Sequence, residues 1–225
     1  MSDSLHAVLS ALWLFEDLSE AEFATLLQSM QIRTYRSKEI IVKKGDPADG
    51  LYVILDGHAK VASQNKEGWD TAFSVMGPNE AFGEIALLDG QPRSATVTTM
   101  KECQVAYMPV STFRLLLIES PTIAVKLLGV LAKRVRRLSQ NLEDRDALGV
   151  RERLAKQLLS LAEASPEGLL VDLSLSQQEL GDLVGATRES VNKHLREWKK
   201  QGLIEQRRRA LVLHDVKALR SLAGS

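Results

Sequence analysis

Three side chains near the start of one helix-like segment, Arg188, Glu189 and Lys193, have the types and spacing needed to read the edges of base pairs. Arginine and lysine donate to O6 and N7 of guanine, and glutamate accepts from N4 of cytosine. Thr187 is suited to cap the segment, which runs to about Gln201, and Gly202 is suited to end it. Val191, Leu195 and Trp198 fall at i, i+4 and i+7 and turn inward, which leaves Arg188, Glu189, Asn192, Lys193 and Arg196 facing out. Just upstream, Ser176-Gln177-Gln178-Glu179 is a capping box that opens a short helix to Val184, and Gly185-Ala186 supplies a tight turn. Helix, glycine turn and helix make a helix-turn-helix, whose second helix enters the major groove by its N-terminal side. A solvated charged face is the plainer account of such a stripe; the two caps and the glycine turn favour DNA.

The segment after this helix supports the same chemistry. Leu203–Gln206 and Ala210–Leu213 are strand-like and are joined by Arg207-Arg208-Arg209, which predicts a wing with three positives at its tip. Phosphate contact there would add affinity without sequence information, and a solvated turn is the alternative. From Gly185 to Ala210 there are eight Lys/Arg and three Asp/Glu, a local excess of five positives in a chain whose 29 basic and 29 acidic residues cancel over its full length. One basic segment in a neutral protein fits a module that touches phosphate at one place.

A second cluster lies at Phe82-Gly83-Glu84-Ile85-Ala86-Leu87-Leu88, then Asp89-Gly90-Gln91-Pro92, then Arg93-Ser94-Ala95. Gly83 permits close backbone approach, and the residues after it can start a short helix whose free N–H groups suit an anion. Arg93 can add a guanidinium to the same phosphate and Ser94 a hydroxyl, while Glu84 is an acceptor suited to a ribose hydroxyl.

The elements that must position these groups have three textures. Residues 5–30 have helical spacing. From about Thr34 to Met108 come short apolar runs, Glu39–Lys43, Leu51–Leu55, Ala59–Ser63, Thr71–Met76, Ala95–Thr99 and Gln104–Met108, cut by Gly, Pro, Asn and Asp. These predict a sandwich or β-roll. From Ser111 the chain is helical. Pro121 suits a first helical turn, and Ala124, Leu128, Leu131, Val135, Leu138 and Leu142 then follow the 4-3-4-3-4 spacing of a coiled-coil seam. That seam predicts a homodimer; a helix packed on its own domain is the alternative. Arg145–Gly149 reads as a hinge, Val150, Leu154, Leu158 and Leu161 as the inner face of another helix, and Ser165–Gly168 as a loop.

Composition narrows the class. With 225 residues, 44% hydrophobic and 26% charged, the chain has room for two modest domains of a folded cytoplasmic protein. No apolar run reaches the roughly 18 residues that span a bilayer, and the N-terminus lacks the basic start of a signal peptide. The single cysteine, Cys103, sits in an apolar strand-like run and reads as a buried inert thiol. One cysteine rules out an all-cysteine iron–sulfur site, and the four scattered histidines lack the spacing of a metal site. The absence of an N-terminal cysteine cluster argues against an oxygen or haem sensor, and no nucleophile–base pair is visible, so no enzyme is expected.

Residues Leu175–Leu203 (LSQQELGDLVGATRESVNKHLREWKKQGL) resemble the winged helix-turn-helix of the cyclic-AMP receptor protein / fumarate-nitrate regulator family, and the resemblance runs from about Leu14 to Leu213. It implies an α+β chain made of a jelly-roll-like cyclic-nucleotide-binding β-roll at 1–120, a dimerisation helix and hinge at 121–147, and a winged helix-turn-helix at 148–225. It implies that Arg188, Glu189 and Lys193 read a TGTGA-like half-site in double-stranded DNA, with Ser176 and Gln178 on backbone phosphate and Thr187, Asn192 and Arg207–Arg209 in support. Residues 82–95 resemble the family's phosphate-binding cassette, which assigns Glu84 to the ribose 2′-OH and Arg93 and Ser94 to the cyclic phosphate, with Gly83, Ile85, Ala86 and Ala95 around them. The family's base-contacting threonine and serine correspond to Leu138 and Ser139. Leu138 cannot donate or accept, so one base contact is lost. The expectation is an allosteric transcription regulator with cyclic AMP as effector and RNA polymerase as partner. A same-fold regulator answering cyclic GMP, cyclic di-GMP or nothing, and a nucleotide-binding accessory protein acting through protein contacts, are the alternatives.

Overall fold

The computed structural model describes residues 6, 9, 10, 12–64, 70–166, 168–172, 175–207 and 210–224. The chain divides into two compact units, Met1–Ser63 with Ser74–Arg136, and Gln64–Phe73 with Arg137–Ser225.

The N-terminal part of the chain forms strands β1 (Gln31–Tyr35), β2 (Ile40–Val42), β3 (Gly50–Asp56), β4 (Ala59–Gln64), β5 (Asp70–Met76), β6 (Ala81–Phe82), β7 (Thr96–Thr99) and β8 (Cys103–Pro109), of which Gln64 and Asp70–Phe73 fall in the second unit and the rest in the first. They form two antiparallel sheets, ordered β1-β8-β3-β6 and β2-β7-β4-β5. The apolar runs have this length because the first sheet is covered on both faces. On β3 and β8, Leu51, Val53, Ala106 and Met108 join a core with Phe113, Leu116, Ile123 and Leu127. The alternate residues Tyr52, Ile54, Val105 and Tyr107 join a second core with Val42 and Val97. The two-residue period of a strand thus divides one apolar run between two cores. Cys103 lies in the second core, and burial pushes its thiol up to about 11, the inert state expected of it.

Helix α1 (Glu20–Ser29) precedes the sheets. The helical spacing of 5–30 overstated it: Trp13–Asp17 is turn, with bonds from Phe15 N–H to the Leu12 carbonyl and from Leu18 N–H to the Phe15 carbonyl. Ser19 and Glu22 form a reciprocal capping box that starts the helix afresh, and the chain is already strand at Gln31. Helix α2 (Glu84–Asp89) carries the cassette, and α3 (Val110–Glu119) leads to α4 (Pro121–Ala147), which passes from the first unit into the second. Its early turns bury Ile123 and Leu127 in their own unit, whereas Leu128, Val135, Leu138 and Leu142 are each more than half exposed. No single helix among the described residues is long and apolar enough to cross a membrane.

The second unit continues with α5 (Val150–Leu161), β9 (Glu163–Ser165), β10 (Gly168–Asp172), α6 (Gln177–Val184), α7 (Arg188–Lys200), β11 (Ile204–Gln206), β12 (Ala210–Leu213) and α8 (Val216–Leu222). Its sheet is ordered β11-β12-β10-β9. Ser165 and Gly168, expected in a loop, are instead paired strand residues at the end of β9 and the start of β10, with Gly168 at φ 117°. Leu154, Leu158, Leu180, Val184, Val191, Leu195, Trp198, Leu211 and Leu219 are buried. The predicted break after α4 falls at Leu148-Gly149, where Gly149 becomes the N-cap of α5.

Candidate effector and DNA-binding sites

The reading helix α7 is set by short-range bonds. The Ser176 hydroxyl accepts from the Glu179 N–H at 3.2 Å, and the Glu179 carboxylate accepts from the Ser176 N–H at 2.8 Å. Gly185 ends α6 at φ 63°, and the Thr187 hydroxyl accepts from the Ser190 N–H to open α7. A further residue, missed in the sequence, tightens this turn. A Cβ at Gly181 would stand 2.6 Å from the Ala186 carbonyl oxygen, whose N–H in turn donates to the Gly181 carbonyl. The available signal was a glycine inside a helical pattern, which costs helix stability unless closeness requires it.

Val191, Leu195 and Trp198 anchor α7 in the core. Arg188, Glu189, Lys193 and Arg196 are exposed, and Asn192 is half-buried. Arg188, Glu189 and Lys193 have no ion-pair partner among the described residues, so their charges are free for a ligand. Ser176 is exposed, and the Gln178 amide donates to Asp182 at 2.9 Å. Arg207 is not free: it pairs with Glu205 at 2.9 Å, and Glu205 also meets the His214 ring at 3.1 Å. Arg207, then His214, hold the Glu205 carboxyl below its usual range. Arg208 and Arg209 lie outside the described residues.

The 82–95 segment has the opposite character. Gly83 adopts φ 89° as the N-cap of α2, with no side-chain cap. A Cβ there would lie 2.5 Å from Arg93 Nη1, and one at Gly50 would meet the Met108 carbonyl oxygen at 2.2 Å. Gly83 thus leaves room for the guanidinium of Arg93, which is 3% exposed, whereas Gly50 leaves room for β8 and offers Arg93 its carbonyl. Its guanidinium donates to the Gly83 carbonyl at 2.9 Å, to the Gly50 carbonyl at 2.7 Å and to Asp49 Oδ1 at 2.6 Å. Burial alone would raise the Asp49 carboxyl, but the hydrogen bonds from Arg93 and Tyr52 outweigh it and hold that carboxyl below its usual range. The Asp49 side chain is 51% exposed, so the buried arginine meets solvent through its carboxylate partner.

Glu84 is 1% exposed, and its Oε1 accepts from Arg134, which also donates to the Ala81 carbonyl. Arg134 was not singled out in the sequence; it stands 50 residues from Glu84, beyond any spacing rule. Glu84 Oε2 is buried with no hydrogen-bond partner. A buried acceptor left open is costly unless a donor arrives, and a ribose hydroxyl is such a donor. Ser94 and Ile85 are exposed, Ala95 is half-buried and Ala86 is buried. Thus Gly83, Glu84 and Arg93 come together around α2, with Ser94 beside them in the chain. Leu138 and Ser139 are exposed on α4, in the second unit.

A buried arginine, an open buried carboxylate oxygen and a winged helix-turn-helix on one chain define a ligand-sensing DNA-binding regulator. Comparison with known proteins makes the class specific. Residues 32–120 match the cyclic nucleotide-binding domain and residues 152–222 the Crp-like helix-turn-helix domain. The chain is 33% identical over 216 residues to the CRP-like cAMP-activated global transcriptional regulator of Mycobacterium tuberculosis, covering 94% of this chain and 96% of that one. Two solved structures share the fold: FixK2 from Bradyrhizobium japonicum has a TM-score of 0.78 at 22% identity, covering 87% of this chain and 98% of that one. The cyclic di-GMP-responsive regulator CLP of Xanthomonas campestris has a TM-score of 0.72 at 24% identity, covering 87% and 99%. The chain belongs to the CRP family of transcription regulators, whose members here are regulators and not enzymes.

Proposed function

We propose that the chain works as a cytoplasmic homodimer that reads a TGTGA-like palindrome and is switched by a cyclic nucleotide, cyclic AMP first among them. The observation that carries the DNA half is the exposed, unpaired trio Arg188, Glu189 and Lys193 on the first turns of a doubly capped helix. Arg188 and Lys193 donate to guanine and Glu189 accepts from cytosine. Asn192 stands beside them, Ser176, Gln178 and Thr187 approach phosphate, and Arg207, Arg208 and Arg209 hold the flanking backbone.

The effector half rests on the open Glu84 Oε2 and the buried Arg93. Glu84 takes the ribose 2′-OH, the backbone from Gly83 through Ala86 meets the phosphate, and Ser94 and Ala95 close the site. The cyclic phosphate replaces Asp49 on Arg93, one anion for another, so the guanidinium is never left buried and bare. The exposed seam Leu128, Val135, Leu138 and Leu142 pairs with its twin. Leu138 and Ser139 then flank the base. The named M. tuberculosis relative is cAMP-activated, which favours adenine. Leu138 makes that preference weaker than a threonine would, and cyclic GMP or cyclic di-GMP is the alternative occupant.

In this reading residues 1–120 sense, 121–147 dimerise and 148–225 bind DNA, with RNA polymerase as the protein partner. Nucleotide binding sets two α7 helices about 34–36 Å apart, one DNA turn. The ligand shifts this balance only by its difference in affinity for the two arrangements. The test is duplex affinity at one fixed salt concentration, with and without each nucleotide. Tighter binding of the palindrome with cyclic AMP is expected. Equal hold on palindromic and scrambled duplexes under every nucleotide would overturn the reading.

A further inference from the structure

Arg153, in the first turn of α5, reaches four backbone carbonyls on two different helix ends, all within the second unit. Its Nη1 donates to the Leu148 carbonyl and, at 3.4 Å, to that of Arg145, at the end of α4. Its Nε donates to the Val184 carbonyl at 2.8 Å and its Nη2 to the Gly185 carbonyl at 3.4 Å, at the end of α6. The last carbonyls of a helix lack intrahelical partners and carry the negative end of its dipole. A guanidinium offers five N–H groups in a planar fork and stays charged, so one side chain satisfies both ends.

Neighbouring contacts reinforce the tie. A Cβ at Gly185 would stand 3.4 Å from Arg145 Nε, so the last turn of α4 lies against the helix-turn-helix turn. Lys156 on α5 pairs with Asp144 on α4 at 2.6 Å, and Gln140 donates to the same carboxylate at 3.1 Å. Gly185 stands two residues before Thr187, the cap that opens α7.

We infer that Arg153 is a positioning residue for DNA binding: it ties the last turn of α4 to the Gly185 turn, so that a shift along α4 is passed to the start of α7. The inference rests on the proposed function in one respect, that the effector acts on α4 near Leu138 and Ser139. Lysine keeps the charge at residue 153 but is a compact point donor that cannot span both pairs of carbonyls. Arg153→Lys therefore separates span from charge, and Arg153→Met removes both.

Both full-length variants are compared with wild type for cyclic AMP affinity, for preference of palindromic over scrambled duplex, and for the gain in DNA affinity on adding cyclic AMP. Nucleotide affinity and duplex preference stay at wild-type values, while the gain falls about tenfold, more for methionine than for lysine. A purely structural loss would lower DNA binding equally with and without nucleotide. Amide exchange is read at Leu148, which donates to the Asp144 carbonyl, and at Ala186, which donates to the Gly181 carbonyl. Joint acceleration at both ends supports the tie; unchanged or one-sided exchange, or an undiminished gain, overturns it. If wild type itself shows no gain with cyclic AMP, the effector reading has failed, and the exchange measurement still decides on Arg153. Should Arg153→Met fail to fold, Arg153→Lys carries the test.

Discussion

The charges at the start of α7 and those around α2 stand in opposite arrangements. Arg188, Glu189 and Lys193 stand in solvent without partners, and water keeps them at little cost. Arg93 and Glu84 are buried, and each is already engaged: Arg93 by Asp49 and two carbonyls, Glu84 by Arg134. An isolated ion in a low-dielectric interior is expensive, so a buried binding group needs a stand-in partner for its unliganded state. The comparison teaches where specificity is stored. In the proposed function it resides on α7 in the identities of free side chains, and around α2 in which internal partner a ligand would replace.

The comparison breaks first at Arg93. Arg93→Leu would strip the donor from Asp49 and from the Gly50 and Gly83 carbonyls together. The expected loss of stability is about 3 kcal/mol by denaturant titration, below the upper range for broken buried pairs because Asp49 is half exposed. A loss under 1 kcal/mol would mean that the cassette arginine is no more committed than a surface one. The counterpart is Arg188→Ala with Glu189→Ala. Each is expected to cost about 1–3 kcal/mol in discrimination between the palindrome and single-base variants. Stability should stay within about 0.5 kcal/mol of wild type, as for exposed residues generally. Equal losses in stability for the two regions would erase the distinction.

The same contrast explains what could be read in the sequence. The helix-turn-helix was legible because its determinants are local: Ser176 with Glu179, Thr187 with Ser190 and the Gly185 turn are each complete within a few residues. The β-strands were legible because burial on both faces of β3 and β8 makes continuous apolar runs. The cassette was legible as a string but not as a network. Asp49 lies 44 residues from Arg93, and Arg134 lies 50 from Glu84, separations that only the fold closes. The N-terminal error was of a different kind, since apolar spacing continued across a turn while the Ser19–Glu22 cap, present in the sequence, was passed over. The short β9 was hidden by its three-residue length, too brief for a period to register.

Two smaller measurements sharpen the comparison. Leu138→Thr would restore a hydroxyl next to Ser139 on the exposed face of α4. A single neutral hydrogen bond contributes about 0.5–1.5 kcal/mol, so cyclic AMP should bind roughly 2–13-fold more tightly by calorimetry, with cyclic GMP changed less. Equal gains for both nucleotides would show that this position does not touch the base.

Arg207 tests the boundary between the two arrangements, because it is exposed like the α7 charges yet paired like the cassette ones. A solvent-facing pair such as Arg207–Glu205 contributes little, so exchanging Glu205 for a phosphate costs the wing almost nothing. Arg207→Ala should therefore leave stability nearly unchanged. It should weaken palindromic and scrambled duplexes by the same factor and lower the slope of log affinity against log salt by about 1. A loss confined to the palindrome would place Arg207 at a base edge instead. An unchanged slope would mean that the pair with Glu205 persists on DNA, and that an exposed partner can commit a cation as firmly as a buried one.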